Sequence, residues 1–314
     1  MNFKQNPNWT IHSHHHHFTW NREIPAVLSI APGDIVSVDV TEASAGLLTK
    51  NSTAKRILDE KPGETNPVTG PIYVDGAQPG DILTIDFLEF HPTDWGWTGV
   101  FPDFGLLKKD FPGPNLHIWK ITEDGSNLSS FGKWAKVPLN PFVGTIGVAP
   151  KKKGDHPIIP PSYYGGNLDV KHLVAGSRLH LPVNVKGALL SIGDTHAAQG
   201  DGEVCGTAIE CSMNVVVKVD LVKNPKHNWP RIQLANHAQR EARDLEITLG
   251  VNRSLKVAAQ ESLSRMIDLV STKTGMSPEE AYMLCSVAGD LRISEIVNEP
   301  NFVVSFQLPF DIFE

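Results

Sequence analysis

The chain has 314 residues, 40% of them hydrophobic and 20% charged, enough for a sizeable core in one large domain or two modest ones. A formal net charge of -7 excludes a phosphate-tracking basic surface, so nucleic acid is not an expected partner. No apolar run reaches membrane-span length, the opening Met1–Asn6 has no signal-type segment, and three cysteines cannot build a disulfide framework. A reducing cytoplasm is therefore the expected compartment.

Taken in order, the chain begins with a histidine run, His12–His17, interrupted by Ser13 and enclosed by Trp9 and Trp20. It reads as native sequence, with His17 its candidate site ring. Pro-Gly-Asp turns at Pro32 and Pro79 each precede an alternating strand; in the first, Ile35, Ser37 and Asp39 share one face and Val36, Val38 and Val40 the other. Glu42 follows directly, a carboxylate placed to support a site at the strand end. Residues 66–75 read as turn and strand. After His91 the chain reads as irregular, and Trp95, Trp97 and Phe104, interleaved with Gly and Pro, suit the wall of a pocket. Further strands are expected over 116–121, 144–149, 177–183 and 188–192. Between them, Gly165-Gly-Asn167-Leu-Asp169 places Asn167 and Asp169 on one face of an extended piece.

The densest stretch is Ser191–Glu210, with four carboxylates, His196, Cys205 and four glycines but no lysine or arginine. Strand alternation would put Asp194 and His196 on one face, and Glu203 and Cys205 likewise. Acids this crowded repel unless a cation or shared protons intervene. Beyond it, an alternating strand runs from Met213. A three-and-four apolar period from Leu255 to Val270 predicts a helix ending before Gly275, and Ser277-Pro-Glu-Glu280 is a capping box opening a second helix through Ala288. Asn301–Leu308 returns as a closing strand, and nothing in this tail carries evident chemistry.

These elements predict a mainly β fold, a sandwich or distorted barrel, with a C-terminal α-helical hairpin. Residues 1–225 form the β-rich body, and residues 226–314, the hairpin and closing strand, pack on it as part of one structural unit. Chemically, Asp169, Asp194 and His196, with Asn167, suit a divalent ion, zinc first, with calcium or manganese as alternatives. Glu203 would then serve as general base and acid in attack on a small amide or ester. Two other readings stay open: a metal-free amidase with Cys205 as nucleophile, and a non-catalytic calcium-binding β module.

At Gly165–Asp169, Leu181-Pro-Val183, Asn66–Val74, Trp95-Gly-Trp97, Gly144–Pro150 and above all Ser191–Glu210, the sequence resembles the acetamidase/formamidase family. The resemblance covers nearly the whole chain. It implies hydrolysis of formamide, acetamide or a close analogue by an oligomeric, homodimeric or larger, protein with a bound divalent metal. The motif residues fall on Asn167, Asp169, Asp194, His196, Asp201 and Glu203, while His17 and Glu42 look like the family's early histidine and early acid.

Overall fold

Alternation decides the larger of two sheets. Val36, Val38 and Val40 are buried, whereas Ile35 and Asp39 on the opposite face are half-buried. Both Pro-Gly-Asp strands, Ile35–Val40 and Ile82–Pro92, pair antiparallel with the same partner, Met213–Val222, one on each side of it. The computed structural model describes residues 4–121, 127–234 and 244–313. Its nine-stranded sheet runs, in spatial order, Trp9–Ile11, Ile35–Val40, Met213–Val222, Ile82–Pro92, Ser177–Pro182, Arg231–Leu234, Leu245–Asn252, Phe302–Pro309 and Asp290–Glu295. The six-stranded sheet runs Gly165–Asn167, Phe142–Gly147, Ala188–His196, Val68–Val74 and His16–His17, with Leu28–Ile30 parallel to Val68–Val74.

Both sheets are open, so of the two expected forms the barrel is set aside. Their inner faces merge in one core, with Val38, Phe87 and Val217 from the larger sheet and Ile72, Ile146 and Leu190 from the smaller.

The helical hairpin forms as its caps dictate. Ser254 accepts from the Val257 amide to open Leu255–Thr274, Gly275 ends it at φ 81°, and the Ser277–Glu280 capping box opens Pro278–Ala288. Met266, Leu269 and Val270 bury against Phe306 and Leu308 of the closing strand, forming a second core. No helix among the described residues is long and apolar enough to cross a membrane.

One expectation changes. The stretch after His91 is less irregular than its Gly and Pro content suggests, because Trp95–Val100 pairs with Asn115–Lys120 as a hairpin. The central stretch joins the two sheets. Its entering strand, Ala188–His196, lies in the smaller sheet and the next strand, Met213–Val222, in the larger, so residues 197–212 cross between them.

One buried base on the large sheet has a measurable consequence. Burial, and then the charge of Arg231, push His180 down to about 3 from an ordinary 6.5, while Gln233 Oε1 lies 2.8 Å from its Nε2. The unfolded chain thus binds a proton near pH 6.5 that the fold refuses. Stability tied to this ring is complete above that pH and declines as pH falls towards 3. Lowering the pH from 7 to 5 is expected to cost the parent about 2 kcal/mol more than it costs His180→Gln, read from urea midpoints.

Candidate active site

The site forms where the crossover leaves the smaller sheet. In Phe142–Gly147, Thr145 lies between Asn167 and Gly193 on neighbouring strands. Its hydroxyl sits between Asn167 Oδ1 and Asp194 Oδ2, 3.1 Å from the latter. Asn66 Nδ2 approaches the same two acceptors at 3.3 and 3.5 Å. Asn66, Asp169, Asp194 and Glu203 all adopt left-handed backbone, with φ of 54°, 47°, 50° and 47°. Each costs of order 1 kcal/mol or more for a non-glycine residue, and such strain gathers where side chains must be aimed.

His196 is the hub. Its Nε2 lies 3.1 Å from both Asp194 Oδ1 and Glu210 Oε2, and 4.0 Å from Glu203 Oε1; its Nδ1 lies 4.0 Å from Asp169 Oδ1. A ring N–H aims at one acceptor only, here Asp194. Glu210 Oε2, Asp169 Oδ1 and His196 Nδ1 are therefore left buried without hydrogen-bond partners. Asp169, His196 and Glu203 form one group spaced to hold a metal ion, and Asp194, His196 and Glu210 another.

Gly144 makes this packing feasible. A Cβ there would sit 2.6 Å from Asp169 Oδ1 and 2.7 Å from His196 Cε1. Gly144→Ala is expected to cut the rate of any reaction run at this site by roughly 10²-fold or more, since displacements near 1 Å cost that much. A turnover assay checks this, with circular dichroism confirming that the β fold persists.

Burial and mutual repulsion set the charges. Burial, then the Asp194 charge, push Asp169 up to about 7, and burial, against the pull of His196, pushes Glu210 up to about 8. Glu203 is raised well above its ordinary value by burial and then by Asp169. Asp194 goes the other way. Burial would raise it, but the charge and hydrogen bond of His196 hold it below the usual carboxylate range. His196 rises well above 6.5 despite burial because Glu210 and Asp194 favour its charged form. The cluster holds more acid than one imidazole neutralises.

A cavity of about 90 Å³ opens on the acids, lined by Asp194, Glu203 and Glu210 on one side and by Trp97, Phe101 and Phe104 on another. At ~30 Å³ per water molecule this is room for about three waters or one small organic molecule.

A model of the Acetamidase/Formamidase family matches residues 4–156 and 152–314. The chain belongs to this family. It is 28% identical to a formamidase from Methylophilus methylotrophus, with 95% of this chain and 89% of that protein covered. It is 31% identical to an acetamidase from Mycolicibacterium smegmatis over 66% of each. A crystal structure of an acetamidase from Bacillus halodurans superposes with a TM-score of 0.88 at 30% identity, covering 97% of this chain and 98% of that one.

Of the residues singled out in the sequence of this acetamidase/formamidase relative, Asp169, Asp194, His196, Glu203 and Asn167 come together, and Trp97 and Phe104 line the cavity. The others stand apart. Asp201 points outward, pairing with Lys171 at 2.9 Å and Arg292 at 3.5 Å. Glu42 accepts hydrogen bonds from Ser44, the Gly46 amide and Trp97 Nε1, so it fixes the Trp97 wall rather than facing the cluster. His17 is held by Ser191 Oγ and the Thr19 carbonyl, and burial lowers it to about 4. Trp95 packs with Leu48, Ile57 and Trp97 behind the cavity wall. Cys205 bonds to the Thr207 carbonyl at 3.4 Å. Glu203 and Cys205 do not share a strand face, because the Gly206 amide closes a turn on the Glu203 carbonyl.

Glu210, Thr145 and Asn298 are among the contributors not singled out. Glu210 ends the acidic string itself, and its position there was the available signal. Thr145 had none. Asn298, in the tail read as carrying no chemistry, donates from Nδ2 to Asp169 Oδ2 at 2.6 Å, and its own amide is held by the Glu295 carboxylate.

Proposed function

We propose that this chain hydrolyses a short aliphatic amide, of the formamide or acetamide type, to a carboxylate and ammonia, with a divalent ion held by Asp194, His196 and Glu210. Membership of a family whose relatives are named formamidase and acetamidase supports the amide chemistry. The observation that carries the ion is the hub itself. Two buried carboxylate oxygens stand 3.1 Å from one imidazole nitrogen, and one of them, on Glu210, has no hydrogen-bond partner. Such spacing suits N and O atoms bound ~2.0–2.2 Å from one ion, and the mixed donors suit zinc first and calcium second. Asp169, expected among the ligands, belongs with His196 and Glu203 to the other group spaced for an ion, while Asn167 is engaged by Thr145 and Asn66. A bound ion would supply Lewis-acid polarisation of the amide carbonyl and acidify water at the site.

The protein's own groups do the rest. Asp169 and Glu203 are both raised by burial and by the acids around them, which favours their protonated forms. Glu203 faces the cavity while Asp169 lies beneath it, so Glu203 is the member placed to take a proton from attacking water and return one to the departing nitrogen. Trp97, Phe101 and Phe104 limit the substrate's size and exclude bulk water. The same reading places the enzyme in a reducing cytoplasm, supported by free Cys205, Cys211 and Cys285, and as a homodimer or larger assembly, as the family resemblance implies.

Ammonia release from formamide and acetamide tests the reading. Activity should fall on chelation and return with zinc, and its persistence in chelator at the full rate would remove the ion from the proposal. Cys205→Ala is expected to retain turnover within about twofold, since its thiol bonds to the Thr207 carbonyl and not to the acidic cluster. Complete loss of activity in that variant would install the thiol mechanism instead.

A further inference from the structure

The inner cavity does not stand alone. It shares Ser44, Glu60 and Thr65 with a wider basin of about 690 Å³, whose rim includes Arg56, Asp59, Lys61 and Glu64. These three residues are the neck. Glu60 follows the 3-10 helix Ala54–Asp59, and the 60–65 loop runs straight into Asn66, which touches the acidic cluster. The basin's cations are already matched, Arg56 by Asp59 at 2.6 Å and Lys61 by Glu64 at 3.4 Å. Among the described residues no lysine, arginine or histidine pairs with Glu60, which takes a hydrogen bond from Thr65 instead. A molecule that reaches the site through the basin passes one unmatched carboxylate before it meets Asp194, Glu203 and Glu210.

We infer that Glu60 is a specificity-determining residue that turns anions away at the neck, confining the site to small uncharged amides and favouring departure of the carboxylate product. The inference rests on the amidase reading for its substrate and on the shared lining of the two cavities for its geometry. A partly buried carboxylate projects a stronger field than the solvated pairs around the basin contribute. Burial raises Glu60 somewhat, but the Thr65 hydrogen bond favours its ionised form, so the test is best run near pH 8.

The experiment compares kcat/KM for acetamide with that for malonamate, an amide bearing a carboxylate, in the parent, Glu60→Gln and Glu64→Gln. Acetate affinity is measured on each by calorimetry. In Glu60→Gln the acetamide-to-malonamate preference should fall at least tenfold and acetate should bind at least fivefold tighter, with Glu64→Gln unchanged in both. An unchanged preference and acetate affinity in Glu60→Gln, or equal shifts in both variants, would overturn the assignment. If the parent hydrolyses neither amide, the amidase reading fails while acetate calorimetry still judges the anion barrier. Glu60→Ala stands in if the glutamine variant does not fold.

Discussion

His196→Ala is expected to abolish both retention of a divalent ion and amide turnover. Four carboxylates, from Asp169, Asp194, Glu203 and Glu210, lie within 4.0 Å of this ring, and no other cation intrudes among the described residues. Removing the ring takes away Nε2, the nitrogen that would bind the ion and that in its absence donates to Asp194. Breaking a buried ion pair by deleting one partner commonly costs ~3–5 kcal/mol, although protonation of the remaining acids relieves part of it. Metal content by atomic absorption, ammonia release and a thermal melt on one preparation separate these effects. Parent-like metal content would show that the ion sits elsewhere.

Glu203→Gln is expected to keep the ion and lose turnover, by roughly 10²–10⁴-fold, the usual contribution of a positioned general acid–base. The substitution preserves the side chain's shape but removes a carboxyl that can take up and release a proton. Glu203 also belongs to the alternative group with Asp169 and His196, its oxygen 4.0 Å from the ring. The variant thus discriminates between the two groups: a ligand role predicts loss of ion and activity together, a proton-transfer role predicts loss of activity alone. Hydrolysis at the parent rate would show that Glu203 does neither.

The strands and helices were legible because their signals are local. The alternation of Val36, Val38 and Val40, the Ser277–Glu280 box and Gly275 each act within a few residues of themselves. The acidic hub was legible for a different reason: Ser191–Glu210 concentrates charge with no lysine or arginine to balance it. Which acids enter the hub was not. Asp201 and Glu203, two residues apart, would share a strand face, but the Glu203 amide bonds to the Gly200 carbonyl in a turn, so one goes outward and the other inward. Asn298, 129 residues from Asp169, reaches it only because Gly202 bridges to Glu295 beside the edge strand. Spacing along the chain has no access to such a meeting.

The decisive observation is an anomalous-scattering map at the zinc edge from crystals soaked in zinc. A single strong peak bounded by Asp194, His196 and Glu210, lost in Glu210→Gln, is the expected result. A map with no density at His196, from crystals of an enzyme that still releases ammonia from acetamide, would contradict it.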